Sequence, residues 1–90
     1  MPAAARLNDP DTGGGQVNSS YATTVFINGK NAATVGTIDT GHGPAPHTPN
    51  PIIQGSSTVN IENKSAARVG DPYSCGHTVQ SGSPDVSVGG

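Results

Sequence analysis

Three histidines and one cysteine carry most of the metal-binding chemistry open to this chain. They fall as His42 and His47, then Cys75 and His77, a pattern of H-x4-H followed after a long gap by C-x-H. Three imidazoles and one thiolate form a full tetrahedral N/S set of the kind zinc favours, with iron the less favoured occupant. Four protein ligands leave no open position for water, so such a centre would be structural and not catalytic. Metal binding by the folded state alone would also add stability that a small core lacks.

Plainer readings stand beside this one. Histidines on Gly/Pro-rich stretches such as Gly41-His42-Gly43-Pro44-Ala45-Pro46-His47 can simply be solvated, and Cys75 can serve as a small buried hydrophobe. A catalytic reading would make Cys75 a nucleophile with His77 as its base. Two residues apart in one tight loop, they leave little space for an orienting group and a substrate pocket. The sequence has no G-x-S-x-G, no glycine-rich phosphate loop before a helix and no paired Glu. The chain is therefore expected not to be an enzyme.

The elements that must position these residues come from an internal repeat. Shifted by 34, residues 24–36 (TVFINGKNAATVG) lie on residues 58–70 (TVNIENKSAARVG), with eight of thirteen positions identical. Val25/Val59 and Ile27/Ile61 are kept while Phe26 becomes Asn60, the period-2 alternation of a strand with one apolar face. Asn28-Gly29 is a strong hairpin-turn signal, and its counterpart Asn63 tolerates positive φ better than other non-glycine residues. Each copy predicts a β-hairpin. A third copy is split: residues 4–10 match 66–72, the second arm, and residues 86–90 match 59–63, the first arm and turn. The two ends of the chain should therefore meet and complete a third hairpin. Three similar hairpins suggest pseudo-threefold symmetry, which suits a homotrimeric partner. In the repeat register Cys75 and His77 align with Gly13 and Gly15, so the metal site would be asymmetric on a quasi-symmetric frame. Arg6 with Asp9 and Arg68 with Asp71 recur at one offset and read as structural turn contacts, and Tyr21, Phe26 and Tyr73 as local packing.

Composition agrees with strands and turns. Gly, Pro, Ser, Thr and Asn make up 46 of the 90 residues, whereas Leu, Ile, Val and Phe make up only 15. Val and Ile dominate that apolar set, with one Leu, so strands are favoured over helices. So few large apolar groups in so short a chain call for a staple, a metal or a partner. Four basic against six acidic residues leave no footprint for nucleic acid. No run of about 18 apolar residues is present to span a membrane. The stretch Met1–Arg6 has no signal-peptide core, so any export is expected to bypass the general secretory route.

With these motifs in hand, the sequence resembles the PAAR-repeat proteins, named for a Pro-Ala-Ala-Arg signature. The likeness is carried by Met1-Pro2-Ala3-Ala4-Ala5-Arg6, Val25–Lys30, Ala66-Ala67-Arg68-Val69-Gly70-Asp71-Pro72, Ser74-Cys75-Gly76-His77 and Gly82–Val86, and it spans essentially residues 1–90 as one domain. It implies an all-β cone of hairpins with zinc near the vertex, held by three His and one Cys. It also implies a partner, a trimeric β-helical spike carrying one copy per trimer. Such tips sharpen the spike that a type VI secretion system or contractile phage tail drives through a membrane, without a stable membrane anchor, and some attach effector proteins. The location implied is a virion tail tip or the exterior reached through an injection machine. The alternative is a small zinc-binding adaptor that recruits effectors. Secretion-type members often place a His in the first loop, where this chain reads Asp11-Thr12-Gly13-Gly14-Gly15. Longer members carry toxin domains after the position of Gly90, so a bare tip is expected.

Overall fold

A computed structural model describes residues 2–19, 21–41 and 49–89. No helix occurs among the described residues, and the regular structure is antiparallel β. Strands β2 (Phe26–Ile27) and β3 (Lys30–Asn31) form one hairpin; β5 (Asn60–Ile61) and β6 (Lys64–Ser65) form its repeat. Their two-residue turns place both central residues at positive φ, 55° and 79° for Asn28-Gly29 and 53° and 67° for Glu62-Asn63. That is the primed turn whose twist matches the flanking strands. Glu62 is the surprise, since a glutamate gains nothing from that conformation. Strand β1 (Val17–Ser19) pairs with β4 (Ile38–Asp39), with a register irregularity between Val17 and Ser19.

The two ends of the chain pair as the repeat predicts. Ala32 N–H donates to Val25 O at 3.0 Å, Ala66 N–H to Val59 O at 2.9 Å, and Ala4 N–H to Val86 O at 2.9 Å. In the last case the two arms belong to opposite ends of the chain, and Val88 N–H to Pro2 O and the pairing of Ala3 with Ser87 extend the contact.

The second arms, however, do not stay with their own hairpins. Beyond Asn31 the chain turns inward and pairs with the other repeats: Arg6 lies opposite Ala32, Thr34 opposite Ala66, and Arg68 opposite Ala4. At the centre a ring closes. Ala33 N–H donates to Ala5 O, Ala5 N–H to Ala67 O, and Ala67 N–H to Ala33 O, each at 3.0 Å. Three backbones can meet so closely only where side chains are small, and all three alanines are buried.

The core is stacked on this ring in two clusters. One joins Ala5, Ala33 and Ala67 to Val17, Ile52 and Val79, with Tyr73; the other joins Ala4, Ala32 and Ala66 to Ile27 and Val88, with Ile61 at its margin. Phe26 does not pack as the sequence suggests: it is 60% exposed. Gly55 marks another tight approach, because a Cβ there would lie 2.6 Å from Ala66 O. Arg6 grips Asp9 through Nε and Nη2 at 3.0 and 2.9 Å, and Arg68 grips Asp71 likewise at 3.1 and 2.9 Å. In the remaining repeat Thr37 Oγ1 takes the aspartate's place and accepts from Thr34 N–H at 2.9 Å.

Candidate functional site

A loop follows the second arm of each repeat, and each is pinned at its root by hydrogen bonds. In loop one, Asp11 Oδ1 accepts from Gly13 N–H at 2.8 Å and Gly15 N–H at 3.0 Å. In loop two, Asp39 Oδ1 accepts from Gly41 N–H and Asn50 N–H, both at 3.0 Å, and so pinches the stem shut. In loop three the backbone does this work: Tyr73 N–H donates to His77 O at 2.7 Å and Gly76 N–H to Tyr73 O at 3.0 Å. Each loop is also tied to the next. Thr12 N–H donates to Thr78 O, Thr40 N–H to Gln16 O and Ser74 N–H to Pro51 O, at 2.9, 2.9 and 3.0 Å.

The tight turn of loop three sets Cys75 and His77 side by side, with Sγ 4.0 Å from Nδ1. Two ligands sharing a tetrahedral zinc at ordinary bond lengths stand about 3.5 Å apart, so this pair has the spacing a shared metal needs after a small adjustment. Cys75 is partly buried and rests against the core, which also accommodates the plainer reading of a small hydrophobe. His42 and His47 lie outside the described residues. The stem they spring from is fixed, however, and Ser74 Oγ donates to Asn50 Oδ1 at 2.7 Å, so loop two leaves the fold next to loop three. Among the described residues alone, no three His, Cys, Asp or Glu side chains are grouped to hold a metal, and no cleft opens.

What the sequence reading missed lies beneath the loops. Asp11, Asp39 and Tyr73 occupy matching positions, each at the base of its loop, and all three are buried. Burial, chiefly, and the nearby Asp11 carboxyl hold the Asp39 carboxyl above the usual aspartate range, against the Asn50 and Gly41 N–H groups that lower it. Burial pushes the Tyr73 phenol well above its ordinary value, and the nearby Asp39 and Asp11 charges push it further. The signal was available: Asp-Thr-Gly recurs at 11–13 and 39–41.

A small all-β fold, a split third hairpin arm and a tight Cys75–His77 turn narrow the choice of family. No curated protein matches the chain. The family model for the PAAR motif matches residues 7–81, most of the 90-residue chain, including all three loops. This chain belongs to the PAAR-motif family.

Proposed function

We propose that the chain is a non-catalytic, metal-stapled tip that caps a trimeric β-helical spike of a contractile injection machine, in a phage tail or a type VI secretion system. Family membership supports a place on such a spike. The observation that carries the capping geometry is the closed hydrogen-bond ring of Ala5, Ala33 and Ala67. A single chain built as three similar sectors around that ring can offer three chains of a trimer nearly the same surface. The cone is then the three hairpins widening toward their turns, with the loops at the narrow end.

At that narrow end His42, His47, Cys75 and His77 would hold the metal, zinc in preference to iron. The metal would supply a crosslink between loop two and loop three and no reactive position. The chain's own residues do the placing: Asp39 closes the stem of loop two, the Tyr73–His77 turn aligns Cys75 with His77, and Ser74 joins the loops. About one metal per chain should survive dialysis, and Cys75→Ser should lower that retention at least tenfold. Retention unchanged in Cys75→Ser would remove Cys75 from the site.

A second reading, an adaptor that recruits effectors, draws on exposed Phe26, since its repeat counterpart is Asn60. The two readings separate on one test. A tip should co-purify with the trimeric spike protein of its own system, and Phe26→Ser should leave that association intact. An adaptor would lose its cargo with Phe26 and show no affinity for the spike alone.

A further inference from the structure

Asn28 is the only one of the seven asparagines that is followed by glycine. In such a pair the glycine nitrogen can attack the side-chain carbonyl carbon of the asparagine, because no Cβ obstructs its approach. The new C–N bond closes a five-membered succinimide and ammonia leaves; water then opens the ring to aspartate or isoaspartate. Asn28 and Gly29 are both exposed, so water reaches them. The folded turn opposes the attack. Ring closure needs Cβ and the next nitrogen nearly eclipsed about the Cα–C bond, and a type I′ turn, with φ 55° at Asn28 and 79° at Gly29, does not have that torsion.

The Asn28 side chain is tied at both ends as well. Nδ2 donates to Asp85 Oδ1 at 2.8 Å, while Oδ1 accepts from Ser83 Oγ and, at 3.3 Å, from Arg6 Nη1. Ser83 is buried, and its oxygen accepts from Val86 N–H at 2.9 Å. The tie therefore reaches the arm whose Val86 carbonyl accepts from Ala4 N–H. We propose that Asn28 is a deamidation site guarded by residues 83–86, and that its conversion releases this segment from the first hairpin turn irreversibly.

The product no longer fits its surroundings. A carboxylate at position 28 has no donor for Asp85 and sets two negative charges where the 2.8 Å hydrogen bond had been. Arg6 Nη1 meets one oxygen of the side chain already and leaves the one facing Asp85 unmatched. Isoaspartate would also add a backbone methylene to a two-residue turn and disturb the pairing of Ile27 with Lys30. The second hairpin shows the contrast. There Glu62 stands at the matching position, and its carboxylate is met by two donors, the N–H and hydroxyl of Thr24. Its turn neighbour Asn63 is followed by Lys64, not glycine.

This site is independent of the spike and of the metal, and two measurements on the intact chain test it. The first holds the chain at mildly alkaline pH and follows each asparagine by peptide mass mapping. Asn28 should convert at least about tenfold more slowly in the folded chain than in denaturant, where it should convert ahead of every other asparagine. Equal rates in the two states, or another asparagine converting first in denaturant, would overturn the proposal. The second uses Asn28→Asp, which supplies one product directly and should fold, since Asp-Gly favours the same turn. Its Ala4 N–H should exchange with solvent at least about fivefold faster than in the unsubstituted chain. Adding Asp85→Asn, whose amide can donate to the new carboxylate, should restore slow exchange. Unchanged exchange in Asn28→Asp, or fast exchange persisting in the double variant, would overturn it. Loss of the whole fold in Asn28→Asp would do so equally, because the release would not be confined to one segment.

Discussion

Ser56 Oγ donates to the carbonyl of Gly89 at 2.6 Å, joining the start of one hairpin to the far end of the chain. The same oxygen accepts from Thr58 N–H at 3.1 Å and Val59 N–H at 2.9 Å, so one buried hydroxyl serves three backbone groups. Matching positions around the fold make the same kind of tie with other residues. The turn residue Asn28 is held by Ser83 and Asp85, and the turn residue Glu62 is held by Thr24 through both its backbone N–H and its hydroxyl. Each hairpin turn is thus fastened to the segment entering another repeat.

Ser56→Ala should therefore cost more than one surface hydrogen bond. Two N–H groups lose their acceptor and Gly89 loses its donor, which together point to a loss of about 1–3 kcal/mol. Denaturant unfolding measures it, and a loss below about 0.5 kcal/mol would show that water replaces the hydroxyl without penalty.

The alanine ring predicts intolerance to growth. Ala33→Leu forces three methyl-sized groups into a place where three backbones meet, so it should destabilise by at least the usual overpacking cost of about 1–3 kcal/mol. An equal enlargement at exposed Thr23 should be neutral to within about 0.5 kcal/mol. Comparable effects at the two positions would contradict a crowded centre.

Acid should loosen the hairpin turns before it touches the loop end. The Asn28 side chain, then Ser83, holds the Asp85 carboxyl below the usual range, and the Thr24 side chain and backbone do the same for Glu62. Lowered carboxyls stabilise at pH values above their ordinary range, and that contribution disappears as pH falls through the lowered values, a window below about pH 4. Amide exchange at Thr24, monitored by NMR, should speed up there while the buried Ala33 amide stays protected. Equal acceleration at both sites would mean global unfolding instead.

The repeat made much of this architecture legible in advance. Period-2 alternation at Val25, Ile27, Val59 and Ile61 gave the hairpins, Asn28-Gly29 gave the turn, and the match of residues 4–10 with 66–72 foretold that the two ends of the chain would pair. The exchange of second arms was not legible. Ala32-Ala33 reads as a strand continuation, and nothing local records that its partners are Arg6 and Ala5. Non-local pairing among small residues leaves no periodic trace, because the requirement is for absence of bulk. The two buried aspartates were hidden for a related reason. Asp followed by Thr-Gly is ordinary turn chemistry, and only the fold shows that both side chains are buried and that the two turns press together at Gly15. Cys75 and His77 were legible as neighbours, and the structure adds the 4.0 Å spacing and the loop that fixes it.

The central claim is that one chain, arranged as three similar sectors, caps three chains. The most direct measurement is the native mass of the complex between this protein and the trimeric spike protein of its own system, with the tip in excess. The account predicts a single species containing one copy per spike trimer, unchanged as more tip is added. A species with three copies per trimer would contradict it, since each spike chain would then hold its own copy and the closed ring of Ala5, Ala33 and Ala67 would have no bearing on docking.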